Sequence, residues 1–204
     1  MYEAEKKELA GICHLLYQRN LVTATDGNVS MRVSGDRILL TPSGKNKGFV
    51  TPEEILVLDL SGNVTEGAGK ASKEYPMHRI VYEKRQDAAA VIHTHPAYAT
   101  AFALAGKNIP DNYLIETGMM LKKTALAGYA TPGTPEMAKA IAPYLEECRA
   151  ILLQNHGALT VGTDLMDAFN RMEVLESVAK TILLSKAVGA PVLISEENLA
   201  KMKK

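Results

Sequence analysis

The chain has 204 residues, 47% hydrophobic and 23% charged, proportions that exclude a disordered, collagen-like or coiled-coil polypeptide. Lys plus Arg and Asp plus Glu each number 23, so no global electrostatic footprint points to nucleic acid or an anionic membrane, and any anion site must be local. The length suits one domain spanning residues 1–204, with enough chain to bury a sizeable core.

The first residues, MYEAEKKELAG, are charged and amphipathic and lack the basic segment and apolar run of a signal peptide. The two cysteines, Cys13 and Cys148, have neither disulfide-framework nor zinc-ribbon spacing, and the expectation is a reducing, cytoplasmic setting. Over residues 3–19, Leu9, Ile12, Cys13, Leu16 and Tyr17 repeat with the helical period, predicting an amphipathic helix that stops at Asn20. Short β-like runs at 29–33, 37–40 and 55–60, separated by SGD, TPSG and SGN turn signals, predict an antiparallel sheet. Pro76 suits a first helical turn, and Met77, Ile80, Val81 and Lys84 keep helical spacing, so a helix follows Glu74 directly.

Residues 88–94 read as a buried strand. The uncharged stretch 88–106 invites a membrane-span reading, but HTHP in its middle would place two histidines and a proline at the bilayer centre. Pro96 opens a helix to about 105, Thr134 and Pro135 open another to about 148, and 150–154 is a β-like run ending in NHG. Thr163 or Asp164 caps a long helix with Phe169, Met172, Leu175, Val178, Ala179, Ile182 and Leu183 on one face, ended by Gly189 and Pro191. The draft is a sheet covered by helices on both sides.

The most informative residues are His93, Thr94, His95 and Pro96. In a strand, residues two apart project from the same face, so the two imidazoles point together. At His–metal distances of about 2.0–2.1 Å such a pair can chelate one divalent ion. His156, at the end of the next strand run, is the natural third ligand. Three histidines leave coordination positions open, as Lewis-acid chemistry on a substrate oxygen requires. His14 and His78 lie on helical stretches and read as ordinary structural histidines. In Ser72-Lys73-Glu74, three roles stay open for the acid: metal ligand, acid or base for proton transfer, or a first-turn residue favoured by the helix dipole. Two small-residue turns, with Gly27 and Asn28 in one and Ser43 and Gly44 in the other, can converge backbone N–H groups on an anion, although each alone is an ordinary turn. Neither GxxxxGK[ST] nor GxGxxG occurs.

Taken in order, GNVS, TPSG, SKE, HTHP and QNHG resemble the class II aldolase/adducin family over residues 5–195. The resemblance implies a three-layer α/β/α fold with a central, mainly antiparallel sheet, and a homotetramer with active sites at subunit interfaces. It matches His93, His95 and His156 to the family's metal ligands, and Glu74 to a glutamate that binds the metal at rest and moves a proton during turnover. Gly27, Asn28, Ser43, Gly44 and Ser72 match its phosphate donors. Lys73 departs from the pattern: it replaces the family's second serine and adds a charge beside the anion site. Tyr113 matches a tyrosine that serves a neighbouring subunit as proton donor. A second family tyrosine, in a longer C-terminal tail, has no counterpart here, since no tyrosine lies beyond Tyr144.

The cofactor expected is one divalent ion per subunit, zinc first, with manganese, cobalt or iron accepting the same ligands. The expected activity is reversible cleavage of a phosphorylated ketose, of the fuculose 1-phosphate type, into dihydroxyacetone phosphate and an aldehyde. Alternatives on the same fold are decarboxylation of a 3-oxo-tetronate-phosphate-type sugar acid, which Lys73 favours, 4-epimerisation, and dehydration of a methylthioribulose phosphate. A non-catalytic adducin-like module is the reading from a different class, and a lysine Schiff-base aldolase is a third. Neither a nucleic acid nor a membrane is expected as a partner.

Overall fold

The structure, a computed structural model, describes residues 1–202. Helix α1 (Glu3–Gln18) buries Leu9, Ile12, Cys13 and Leu16 and gives way at Asn20, whose φ of 57° lies in the left-handed region that asparagine tolerates. Strands β1 (Asn28–Ser34), β2 (Arg37–Leu40), β3 (Leu56–Asp59) and β4 (Val64–Glu66) run back and forth as an antiparallel meander. After α2 (Tyr75–Lys84), β5 (Ala90–Thr94) returns along β1. Then come α3 (Ala97–Leu104), a π-helical turn at Thr117–Leu121, β6 (Thr124–Ala127) and α4 (Pro135–Ile141). The chain ends with β7 (Ala150–Leu153), β8 (Gly157–Gly162), α5 (Leu165–Val188) and α6 (Glu196–Met202).

All eight strands form one sheet in the order β4-β3-β2-β1-β5-β8-β7-β6. Every neighbouring pair is antiparallel except β6 with β7. Strand alternation divides the core in two. Val29, Leu39, Val57, Ala90, Ile92 and Leu152 face α1, α3 and α5, while Ile38, Leu40, Leu56, Val91, Ile151 and Leu159 face α2 and α4. The molecule is therefore α/β with helices on both faces of a mainly antiparallel sheet. Burying a side chain such as Leu175 contributes roughly 1.5–3 kcal/mol, so α5 is held by its inner face, on which Phe169, Met172, Leu175, Val178, Ala179 and Ile182 are all buried.

Some expectations need correction. The helix expected over 134–148 stops at Ile141 and continues as a 3-10 turn, Ala142–Tyr144, because Pro143 has no N–H and crowds the turn before it. The run expected at 55–60 pairs only over Leu56–Asp59, since the Asp59 carboxylate accepts from Asn63 and closes a turn there. Strands β4, β6 and β8 and helix α6 were not anticipated. Among the described residues no helix is long and apolar enough to cross a membrane.

The register matters most at one end of the central strands. Asn28 pairs with His93, Thr94 with Ala158, and Leu153 with Gly157. The end of β5, the start of β1 and the β7–β8 turn thus meet at one edge, on the sheet face that α2 covers.

Candidate metal centre

Because Val91 faces α2, His93, two residues on, does too. His95 follows the strand end, and His156 sits in the tight β7–β8 turn, where its N–H donates to the Leu153 carbonyl at 3.0 Å and Asn155 adopts a φ of 57°. The three rings form a propeller, with centroids 4.7–4.9 Å apart and planes inclined at 61–63°. One ring nitrogen from each lies within 4.8 Å of the other two. The Nε2 atoms of His93 and His95 are 3.1 Å apart.

An outer partner sets the proton of His93. His93 Nδ1 lies 2.9 Å from the Ala158 carbonyl, a pure acceptor, so Nδ1 carries the hydrogen and Nε2 presents a lone pair. Burial pushes the His93 pKa down to about 3 and also lowers that of His95, keeping both rings neutral. His95 Nδ1 lies 3.7 Å from the Asp26 carboxylate.

Glu74 closes the group from the start of α2. Its Oε2 is 3.4 Å from His93 Nε2 and its Oε1 is 3.2 Å from His156 Nε2. Burial alone would raise its pKa, but the facing His156 ring, the His93 ring and the Asn28 amide outweigh burial and hold the carboxyl well below the usual range. Oε1 is buried with no hydrogen bond of acceptable geometry. A buried carboxylate held ionised against His156, beside the lone pair of His93 Nε2, is a donor set that suits a divalent cation.

Beside it lies a cleft of about 520 Å³, lined by Gly27, Asn28, Ser43, Gly44, Ser72, Lys73, Glu74, His95 and His156 among others. Gly27 has a φ of +69°, and a Cβ there would stand 2.6 Å from the His93 carbonyl oxygen, so only glycine lets the turn before β1 lie against β5. At Gly157 a Cβ would stand 2.6 Å from Cδ2 of His95, so the residue after His156 must also be small. Asn28 donates to Glu74 Oε2 at 2.7 Å and to Ser72 Oγ at 3.2 Å.

All the residues singled out in the sequence are therefore in this cleft or its metal cluster, except Tyr113. That residue is partly buried in the segment before the π-helical turn, packed against the core under α1, α3 and α5. Sequence reasoning missed Lys47. It is 1% exposed and lines the cleft, and its ammonium donates to the Thr25 carbonyl at 3.0 Å and the Lys45 carbonyl at 2.8 Å. In the sequence it is one of two lysines, with Lys45, just after a turn, and nothing local marks it for burial. His78, read as structural, is fully buried and hydrogen-bonds to Asn28.

Residues 7–183 match the model of the class II aldolase and adducin N-terminal domain. The chain belongs to the class II aldolase/adducin family. It is 39% identical to an L-fuculose phosphate aldolase of Methanocaldococcus jannaschii over 90% of this chain and 98% of that one. It is 32% identical to a 3-oxo-tetronate 4-phosphate decarboxylase of Haemophilus influenzae over 87% of this chain and 86% of that protein. A solved L-fuculose 1-phosphate aldolase superposes with a TM-score of 0.89 at 36% identity, covering 97% of this chain and 93% of that chain. The class II aldolase fold expected from the motifs is the fold observed.

Proposed function

We propose that this class II aldolase-family protein is a metal-dependent lyase that reversibly cleaves a phosphorylated ketose, of the fuculose 1-phosphate type, to dihydroxyacetone phosphate and an aldehyde. One observation carries the reading. The Glu74 carboxylate lies between three converging imidazoles and the amide and hydroxyl donors of Asn28 and Ser72, within one cleft. His93, His95, His156 and Glu74 are the residues that would hold one divalent ion, zinc first and manganese, cobalt or iron otherwise. Such an ion supplies Lewis-acid stabilisation of the negative charge that develops on substrate oxygens as the carbon–carbon bond breaks.

The rest is work for the chain's own groups. The Gly27–Asn28 and Ser43–Gly44 turns, with Ser72 and Lys73, bind the phosphate and orient the ketose. As the C3–C4 bond breaks, its electron pair stays with the dihydroxyacetone fragment and the C4 hydroxyl becomes the aldehyde carbonyl. In the reverse, condensing direction the Glu74 carboxylate takes a proton from C3 and the Tyr113 hydroxyl gives one to the aldehyde oxygen; cleavage returns both protons, so the overall reaction is proton-neutral. Tyr113 acts in a neighbouring subunit's site, in a homotetramer built from these single-domain chains. Exposed apolar side chains beside it, Ile115 at 51% and Met119 at 64%, support a subunit contact there.

The test is release of dihydroxyacetone phosphate from a panel of ketose 1-phosphates, coupled to glycerol-phosphate dehydrogenase. Release abolished by chelator and restored by metal is the expected result. One feature favours a second reading, decarboxylation of a 3-oxo sugar acid phosphate: Lys73 replaces the second serine and lines the cleft, where its charge suits a carboxylate. Carbon dioxide release without dihydroxyacetone phosphate would select it. A native protein with no metal near stoichiometric occupancy and no turnover would select a non-catalytic, adducin-like module.

A further inference from the structure

Behind the metal cluster runs a buried chain of polar side chains. Asn28 Nδ2 faces two acceptors, Glu74 Oε2 and Ser72 Oγ, at 2.7 and 3.2 Å. Its Oδ1 faces His78 Nε2 across a short hydrogen bond. On the far side of that ring, Nδ1 lies 2.7 Å from Ser30 Oγ, which lies 2.7 Å from the Tyr82 hydroxyl. Ser30 and His78 are 0% exposed, Tyr82 1% and Asn28 4%, so water does not compete for these groups.

The direction of every bond can be worked out. A carboxylate accepts only, so Asn28 must turn its amide hydrogens toward Glu74 and its oxygen toward His78. An amide oxygen also accepts only, so His78 must carry its hydrogen on Nε2. Burial pushes the His78 pKa down to about 4, and a neutral ring has a single N–H, which leaves Nδ1 as an acceptor. Ser30 therefore donates to Nδ1 and accepts from Tyr82. The opposite Asn28 rotamer would set its oxygen against the Glu74 carboxylate, a clash in a buried site that no change of the His78 tautomer removes.

We propose that His78 is a positioning residue: it locks the Asn28 amide with its donors toward Glu74 and Ser72, and so holds in one geometry both the carboxylate that moves the proton and a hydroxyl that lines the substrate cleft. Ser30 and Tyr82 hold the far side of the His78 ring. The kinetic part of this inference rests on the aldolase reading; the tautomer does not.

Two measurements test it. Nitrogen-15 NMR of histidine-labelled wild-type protein should show His78 as the Nε2–H tautomer, and substitution of Asn28 by alanine should shift its Nε2 signal. An Nδ1–H tautomer or a mixture overturns the proposal. In kinetics, His78→Phe, which keeps bulk but removes the donor, should lower kcat/KM by about 10- to 100-fold with bound metal unchanged. His78→Gln, which keeps an N–H donor, should recover most of that loss. In an Asn28→Ala background the His78→Phe effect should shrink to about twofold or less, since both substitutions break the same chain. Equal effects in both backgrounds would make His78 a packing residue and overturn the proposal. If His78→Phe does not fold, the wild-type tautomer decides. If wild-type protein turns over no substrate, the aldolase reading falls and the tautomer still judges the relay.

Discussion

Substituting Gly27 by alanine tests how the site is held together. The left-handed backbone there costs an alanine about 1–2 kcal/mol. The new Cβ would also stand 2.6 Å from the His93 carbonyl oxygen, about 0.8 Å short of ordinary contact. That oxygen belongs to the backbone of a central strand and cannot swing aside, so the turn must move, at a further cost of about 1–3 kcal/mol. The sum, about 2–5 kcal/mol, corresponds to a fall in melting temperature on the order of 10 °C for a chain of this size. Gly35→Ala is the control: its φ of +40° is also left-handed, but nothing lies within 4 Å of its Cβ, so it loses only the backbone part. Activity should fall further than stability suggests. Moving the turn lengthens the 2.7 Å bond from Asn28 to Glu74, and a misplacement near 1 Å at a reacting group costs roughly 100-fold. Thermal melts of both variants, with kcat/KM and metal content, read the result. If Gly27→Ala melts within about 2 °C of Gly35→Ala, or keeps full activity, the close packing of this turn on β5 does not hold the site.

Other consequences follow from the same geometry. Glu74→Gln should leave the fold intact by circular dichroism while lowering turnover by about 100-fold or more, the usual size of a lost proton-transfer group; full activity with metal retained would rule out its proton role. Lys47→Met should raise KM for a phosphorylated substrate about tenfold, the effect of roughly 1.4 kcal/mol, because it removes a buried cation beside the anion turns; unchanged affinity for inorganic phosphate in calorimetry would refute that. Acid should destabilise the metal-free protein early. Burial depresses His78 to about 4 and His93 to about 3, so the unfolded chain takes up protons first, and stability present above the unfolded value near 6.5 is lost as pH falls toward 4. The full effect is on the order of 3 kcal/mol per histidine. Urea midpoints at pH 7, 6, 5 and 4 measure it, and a flat profile between 7 and 5 would show that these rings are not held neutral.

How much of this was legible in the sequence depended on the range of each interaction. HTHP announced paired imidazoles because residues two apart on a strand share a face whatever the fold around them. The stripes of α1 and α5 were readable for the same reason. Strands β4 and β6 were not. Strand β4 has only three residues, and β6 reads TALA, whose alanines favour no strand; both exist because β3 and β7 offer open edges to pair with. Glu74 kept three readings until its distances to His93 and His156 were known, because the same acid at a first helical turn is common without any metal.

Residue types and local spacing thus determined helices α1, α2, α3 and α5, the histidine pair and the order of the motifs that mark the family. Only the tertiary structure decided that Lys47 is buried beside the cleft and that His78 belongs to the site. His78 looks like any core histidine on its own helix. Its meaning comes from Asn28, fifty positions earlier, and Asn28 reaches both it and Glu74 because β1 and α2 pack on the same end of the sheet. Hydrogen-bond direction belongs to the whole set of facing groups, and no stretch of sequence contains that set.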